Sequence, residues 1–283
     1  MSTYAQYQFD VNGYEDVLIS VDGTERRAAA SLGFLRSKST ILKDYILSIQ
    51  SILARLSQFE TLNDSLLSKR TTGGKILVFI SGDKGLVGDY YYKVFSFGLE
   101  KRHEYSKILC IGEKSKQYLE ESHVGFDYLA PGIQISEYED QILTITKQLK
   151  EQYFQSNTAQ IDILAAKPHT LTTQIPYIVQ LLPLSLADEE QPNLSGQQLG
   201  FPVFESKQKD IIAQLTSRLF HAKLVHLFFE TTTAEFSART VAMEQAKDKT
   251  HELLRKLRRE YYKSRTFLVT QKQQESFMVH KLT

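Results

Sequence analysis

Apolar positions recur at three- and four-residue steps at both ends of the chain and gather into short unbroken runs in its middle. Near the start, Ile41, Tyr45, Ile49, Ile52, Leu53, Leu56 and Phe59 line one face of a helix. Residues 14–68 are therefore expected to be mainly helical, with Asp22 or Thr24 as a cap and with Gly23 and Gly33 weakening continuity. The middle changes period. Lys75–Ile80, Ile108–Gly112 and Ile161–Ala165 read as strands buried in a parallel sheet, and Ile178–Leu184 as a fourth at its edge, closed by Pro183. Between them, Tyr90–Lys101, Glu113–Glu121 and Glu139–Phe154 read as helices, which gives a βαβ alternation. The stretch Ala187–Pro202 is acidic, carries Gly and Pro, and reads as a loop. From Glu205 to Lys281 there is neither proline nor glycine, and one helix of roughly 110 Å is expected. Its stripe starts with Ile211, Ile212, Leu215, Leu219, Leu224, Leu227 and Phe228. It continues through Ala234, Ala238, Val241, Ala242, Ala246, Leu253, Leu254, Leu257 and Tyr261, with small residues where two helices can lie close.

The fold class that follows is α/β: a small Rossmann-like parallel-sheet domain flanked by long N- and C-terminal helices, which form an antiparallel coiled coil. The division expected is 1–68 for an N-terminal extension and the first long helix, 69–202 for the α/β domain, and 203–283 for the second long helix. A helix of the last kind is far longer than a compact domain requires, so it is a shaft, a strut or an arm.

Composition narrows the chemistry. The 283 residues carry a net charge of +1, which excludes a chain that is basic throughout and argues against nucleic acid as a partner. The lone cysteine, Cys110, excludes an intrachain disulfide and a cysteine-rich metal site. The opening MSTYAQYQFD lacks the order of a signal peptide, and no apolar run is long enough to span a membrane. Gly82, Gly85 and Gly88 sit in SGDKGLVGD, after the first strand. A glycine turn between strand and helix can cradle a phosphate. This one lacks GxGxxG and the Lys-Ser/Thr of a Walker loop, and Asp83 and Asp89 would repel an anion, so its expected role is a tight bend. None of the seven histidines stands in a metal-ligand frame. No nucleophile–base set emerges, and no cofactor, metal or catalytic residue is expected.

Charge does concentrate in one place. Lys247–Arg265 holds eight Lys or Arg against three acids, a local excess of +5 in a nearly neutral chain. A solvated helix face with pairs such as Glu252–Lys256 is one reading; a belt facing an acidic partner is another; nucleic acid is the third, against which stand the low total charge and the lack of aromatic interleaving. Beyond it, Phe267, Leu268, Val269, Phe277, Met278 and Val279 lie on a helix end its own domain cannot reach, so they call for a socket or a companion helix.

Several segments resemble the gamma subunit of rotary F-type ATP synthases, in the same order along the chain. Lys75–Asp89, KILVFISGDKGLVGD, is similar to that family's first strand and its S-D-R/K-G-L-C-G turn. Pro168–Pro183 resembles the segment ending in Q-L-L-P-L. Ala238–Met243 is similar to A-R-M-x-A-M, with Thr240 for the first methionine, and Tyr261–Arg265 to the end of L-x-Y-N-K-A-R. The resemblance covers residues 14–275. It implies a non-catalytic central rotor shaft, turning inside a ring of alternating alpha- and beta-type subunits and coupling ion flow to ATP synthesis or hydrolysis. It also implies an epsilon-like subunit and a membrane rotor ring, or a divergent replacement, at the foot. The complex would sit peripherally on the cytoplasmic side of the plasma membrane. The expected partner contacts are Arg239, Met243, Arg255, Arg258, Arg259 and Arg265, with Phe277 and Met278 from the apolar helix end; of the arginines, Arg239 and Arg265 fall on motif positions. The chain departs from the pattern where a shaft would meet its bearing and its foot. Residues 22–34 keep little of N-T-x-K-I-T-x-A-M, some ten residues precede the usual start, and Val87 and Asp89 replace the turn's cysteine and second glycine. These departures point to a specialised F1-like ATPase not coupled to an ordinary ion-translocating ring, as an alternative to a conventional synthase. A coiled-coil scaffold unrelated to ATPases is the alternative from a different class.

Overall fold

The structure, a computed structural model, describes residues 4–57, 64–70, 72–155, 157–185 and 207–282. Phe59 and the expected loop Ala187–Pro202 lie outside them, as do Glu205 at the expected start of the last helix and the side chain of Val279. The chain divides into two compact units, Ser31–Ala238, and Met1–Ala30 with Arg239–Thr283. The two long helices, α1 (Tyr4–Leu56) and α5 (Gln208–Leu282), each contribute to both.

The larger unit is built on a five-stranded sheet. Its strands are β1 (Gly74–Ile80), β2 (Lys107–Ile111), β3 (Asp127–Ala130), β4 (Thr158–Pro168) and β5 (Gln174–Leu182), in the order β3-β2-β1-β4-β5. Helices α2 (Tyr90–Glu100), α3 (Glu113–Glu121) and α4 (Tyr138–Gln155) lie between strands in sequence. The first four strands are parallel, as the βαβ spacing predicts. β5 is antiparallel to β4 and corrects the all-parallel expectation. Only residues 169–173 separate the two, too few for a crossover helix. They close a hairpin through His169 N–H to Thr173 O at 2.9 Å and Thr173 N–H to Thr170 Oγ1 at 2.9 Å. The strand begins at Gln174 and not at Ile178; Pro176 is tolerated because β5 is an edge strand. β3 was not expected at all: it is four residues of DYLA with no buried side chain.

Alternation along the strands separates two cores. Ile76, Val78 and Ile80 of β1, with Leu109, Ile111, Ile161 and Ile163, pack with α1, α4 and the first half of α5. Leu77 and Phe79, with Ile108, Cys110 and Leu164, pack with α2 and α3. Segment 69–202 thus does not close its own core, since Leu35, Ile46, Ile49 and Leu53 of α1 and Leu219–Phe229 of α5 belong to it. α5 also reaches the second core: Ala234 and Ala238 join Val87, Tyr90 and Val94. Their small side chains fit that contact, not the close helix pairing expected of them.

α1 starts at Tyr4 and runs through the expected cap without interruption. Thr24 donates back to Ser20 O at 2.9 Å, and Asp22 is engaged in ion pairs. A Cβ on Gly13, Gly23 or Gly33 would meet nothing within 4 Å. Each of these glycines therefore costs helix propensity, about 1 kcal/mol, without a packing return, and tertiary contacts hold the helix. Its buried face also differs from the expected one. Ile46, Ile49, Leu53 and Leu56 are buried, whereas Ile41, Tyr45 and Ile52 are 62%, 44% and 43% exposed.

Candidate functional site

The glycine turn satisfies its own polar groups. Asp83 Oδ1 accepts from Glu113 N–H at 2.9 Å and from Gly132 N–H at 2.8 Å. Its carboxylate thus sits at the start of α3, where a phosphate would otherwise find its donors. Left-handed backbone falls at Leu86 (φ 64°) and Gly88 (φ 62°). Gly85 has neither that conformation nor a crowded Cβ position, whose nearest neighbour is Lys114 Cε at 3.7 Å. Gly82 makes room: a Cβ there would lie 2.9 and 3.0 Å from the carboxylate oxygens of Glu235.

The chain's titratable groups are arranged for packing. Burial pushes the Cys110 thiol up to about 12, which keeps it protonated and unreactive. His221 and His226 are held below the usual histidine range, chiefly by burial. They hydrogen-bond Thr146 Oγ1 at 3.1 Å and Ser39 Oγ at 3.4 Å, tying α5 to α4 and to α1. Among the described residues no cluster of His, Cys, Asp or Glu is suited to a metal, and no helix is long and apolar enough to cross a membrane.

The smaller unit carries the basic belt. Within it α1 and α5 run antiparallel, partners on α5 falling in number as those on α1 rise. Tyr4 stacks on Tyr261 at 4.9 Å between ring centroids, with 2.8 Å between hydroxyls. Arg258 Nη2 meets Glu15 Oε1 at 2.6 Å. Lys247 Nζ lies 2.6 Å from Asp22 and 3.2 Å from Glu25. The hydrogen bond from Lys247 holds the Asp22 carboxyl below its usual value, and Asp22 and Glu25 together raise the ammonium. All three side chains are half-buried at the surface and reached by solvent, so this is a charge match more than a source of stability. Lys256–Glu252 (2.7 Å) and Lys263–Glu260 (2.8 Å) pair along α5. Lys249, Arg255, Arg259 and Arg265 make no ion pair among the described residues. The acids on α1 were missed from sequence, although the seven-residue step from Glu15 to Asp22 places them on one helix face.

Of the eight residues expected to touch partners, two point inward. Arg239 is 7% exposed and Met243 4%, on a stripe continued by Thr250 and Leu254. Arg255, Arg258, Arg259 and Arg265 are exposed, Arg258 in its bond to Glu15. Phe277 and Met278 are 78% and 64% exposed. Past Tyr261 most side chains of α5 are exposed, Phe267 to 70%. Arg259, Tyr262, Lys263, Thr266, Phe267 and Thr270 line one open concavity along a single face of the helix.

Residues 26–274 match the family model described as ATP synthase. Curated relatives include the ATP synthase gamma chain of Heliobacterium modesticaldum, 25% identical over 252 residues, covering 86% of each chain. That of a Synechococcus species is 23% identical over 307 residues, covering 93% of this chain and 95% of the relative. In fold, the chain is similar to one in the central stalk/c-ring structure of Tetrahymena thermophila mitochondrial ATP synthase. The TM-score is 0.56 at 15% identity, covering 80% of this chain and 98% of the other. It is also similar to a chain of the Euglena gracilis mitochondrial enzyme in the OSCP/F1/c-ring structure, with TM-score 0.55 at 15% identity, covering 92% and 94%. Matched over most of its length, and with gamma chains as its relatives, the chain belongs to the ATP synthase family as a divergent gamma-type member.

Proposed function

We propose that this chain is the central rotor shaft of an F1-type rotary ATPase and couples its own rotation to the state of the surrounding catalytic ring. It performs no chemistry: in a gamma-type stalk subunit the nucleotide sites belong to neighbouring chains. It acts by presenting different side chains to each neighbour as it turns, which shifts their conformational populations. The observation that carries this reading is the end of α5. Tyr262–Leu282 extends about 30 Å, and its apolar side chains at Phe267, Val269 and Phe277 are 70%, 48% and 78% exposed. A monomer does not keep such a surface in water without a socket for it. The unpaired arginines Arg255, Arg259 and Arg265 are suited to acidic surfaces of alpha- and beta-type subunits. The sheet unit would then be the foot, meeting an epsilon-like subunit and a membrane rotor ring or its divergent replacement, on the cytoplasmic face of the plasma membrane.

Co-expression with the alpha- and beta-type subunits of the same organism tests this. One copy of the chain should co-purify with three of each, and a variant ending at Arg265 should be folded yet fail to support a stable ring. Recovery of the chain as a homodimer through its long helices, with no ring subunits bound, would overturn the rotor in favour of a scaffold.

A further inference from the structure

We propose that two tyrosine–glutamate latches, Tyr91–Glu235 and Tyr177–Glu230, are the points through which torque passes between the sheet unit and α5. This rests on the rotor reading and locates the grip that such a rotor needs. Apolar packing resists rotation of a helix through interlocked side chains and the cost of exposing its buried face, but it sets no bond angle. Directional bonds to charged groups add a restraint with a defined angle. Within the larger unit α5 makes such bonds at Ser217, which accepts from Lys150, and at Lys223, which donates to Ser185 O; the two that end on carboxylates of α5 lie at residues 230 and 235.

Gly82 N–H donates to Tyr91 Oη at 3.1 Å, and the Tyr91 hydroxyl donates to the Glu235 carboxylate. That carboxylate is 6% exposed and occupies the space where Gly82 lacks a side chain. Tyr177 of β5 donates to Glu230 Oε2. Between the latches, Tyr90 Oη donates to Thr231 O at 3.3 Å, and Ala166 N–H to Thr231 Oγ1 at 3.4 Å. The donors come from α2 and from the edge strand β5. At 100° per residue, Glu230 and Glu235 point about 140° apart, so turning α5 either way strains at least one latch. Burial, and then the facing carboxylate, pushes both tyrosine hydroxyls far above the usual phenol range, so they remain donors at working pH. Stability alone gives no reason for the buried carboxylate of Glu235 beside the half-buried one of Glu230, since well-packed apolar side chains of the same volume serve it as well or better. Mechanical grip does.

The test uses the assembled ATPase complex, with a rod attached to the sheet unit through Glu121→Cys at the exposed end of α3. Tyr91→Phe with Tyr177→Phe removes both hydroxyls and keeps the rings. Unloaded ATP hydrolysis should match the parent, while the load at which the rod stalls should fall about twofold or more, because two charge-assisted bonds are gone. A merely structural role would lower the thermal midpoint without this split between unloaded rate and stall load. Should the double variant not fold, each single Tyr→Phe is read in the same way. An unchanged stall load in the folded variants overturns the latches, whereas a parent complex that never turns the rod overturns the rotor itself.

Discussion

At Gly112 the backbone has φ 96°, and a Cβ would lie 2.1 Å from the carbonyl oxygen of Ser81. Strain in that region costs about 1–3 kcal/mol before any clash is counted. Gly112→Ala should therefore lose about 3 kcal/mol or more in urea unfolding of the isolated chain. Gly85→Ala should stay within about 0.5 kcal/mol or gain slightly, because its Cβ meets only ordinary contacts and the substitution restricts the unfolded chain. Equal losses at the two sites would refute this distinction. Sequence suggests a bend at Gly82, Gly85 and Gly88, but it does not reveal that Leu86 takes one left-handed position or that Gly112 is the crowded residue. Both depend on how β1 and β2 align, which brings Ser81 N–H to Ile111 O at 2.9 Å. Arg239 and Met243 show the same limit. They match a motif, yet whether a motif residue faces a partner or its own core depends on which way the helix is turned.

The last helix was legible because neither glycine nor proline interrupts it, and the parallel strands because fully buried strands read as continuous apolar runs. The rotation of α1 was not. Leu32, Leu35, Ser39, Leu42, Ile46, Ile49, Leu53 and Leu56 follow each other at alternating three- and four-residue steps, and this is the side packed into the core. The polar member, Ser39, meets His226. Phe34, Ile41, Tyr45 and Ile52 form a second apolar stripe, about 100° round the helix, and are 43–62% exposed. A helix with two apolar stripes offers periodicity no means of choosing between them, and the expected stripe mixed both. The structure separates them sharply enough to test. Leu53→Ala should cost about 2–5 kcal/mol, as for other fully buried leucines. Ile52→Ala, its immediate neighbour, should cost under about 0.5 kcal/mol. Denaturant midpoints of the isolated chain decide it, and a comparable cost at both positions would mean that α1 is rotated from the register described. β3 and the start of β5 escaped for a related reason: short edge strands exposed to water carry little apolar signal.

For the whole molecule, the near-zero net charge conceals an internal division of labour. Part of the belt is already answered by the chain: Lys247 by Asp22 and Glu25, and Arg258 by Glu15, all from the first 25 residues, which lie before the matched family segment. Arg255, Arg259 and Arg265 are left over, exposed and unpaired among the described residues, and these belong to the proposed contact with the ring. Reversing all three to Glu lowers the charge by two units at each, taking the belt from +5 to −1. Exposed charges contribute little to folding, so the isolated chain should unfold within about 1 kcal/mol of the parent. The complex should respond quite differently. Long-range attraction to acidic surfaces is screened within about 8–10 Å at physiological salt, so assembly with the ring should fall most at low ionic strength, and the gap from the parent should narrow as salt is added. Arg239→Glu provides the contrast: buried at 7% exposure, it should destabilise the chain itself and show no such salt dependence. A triple variant that assembles and hydrolyses ATP like the parent at both low and high salt would remove the belt from the contact and leave the apolar end of α5 to carry it alone.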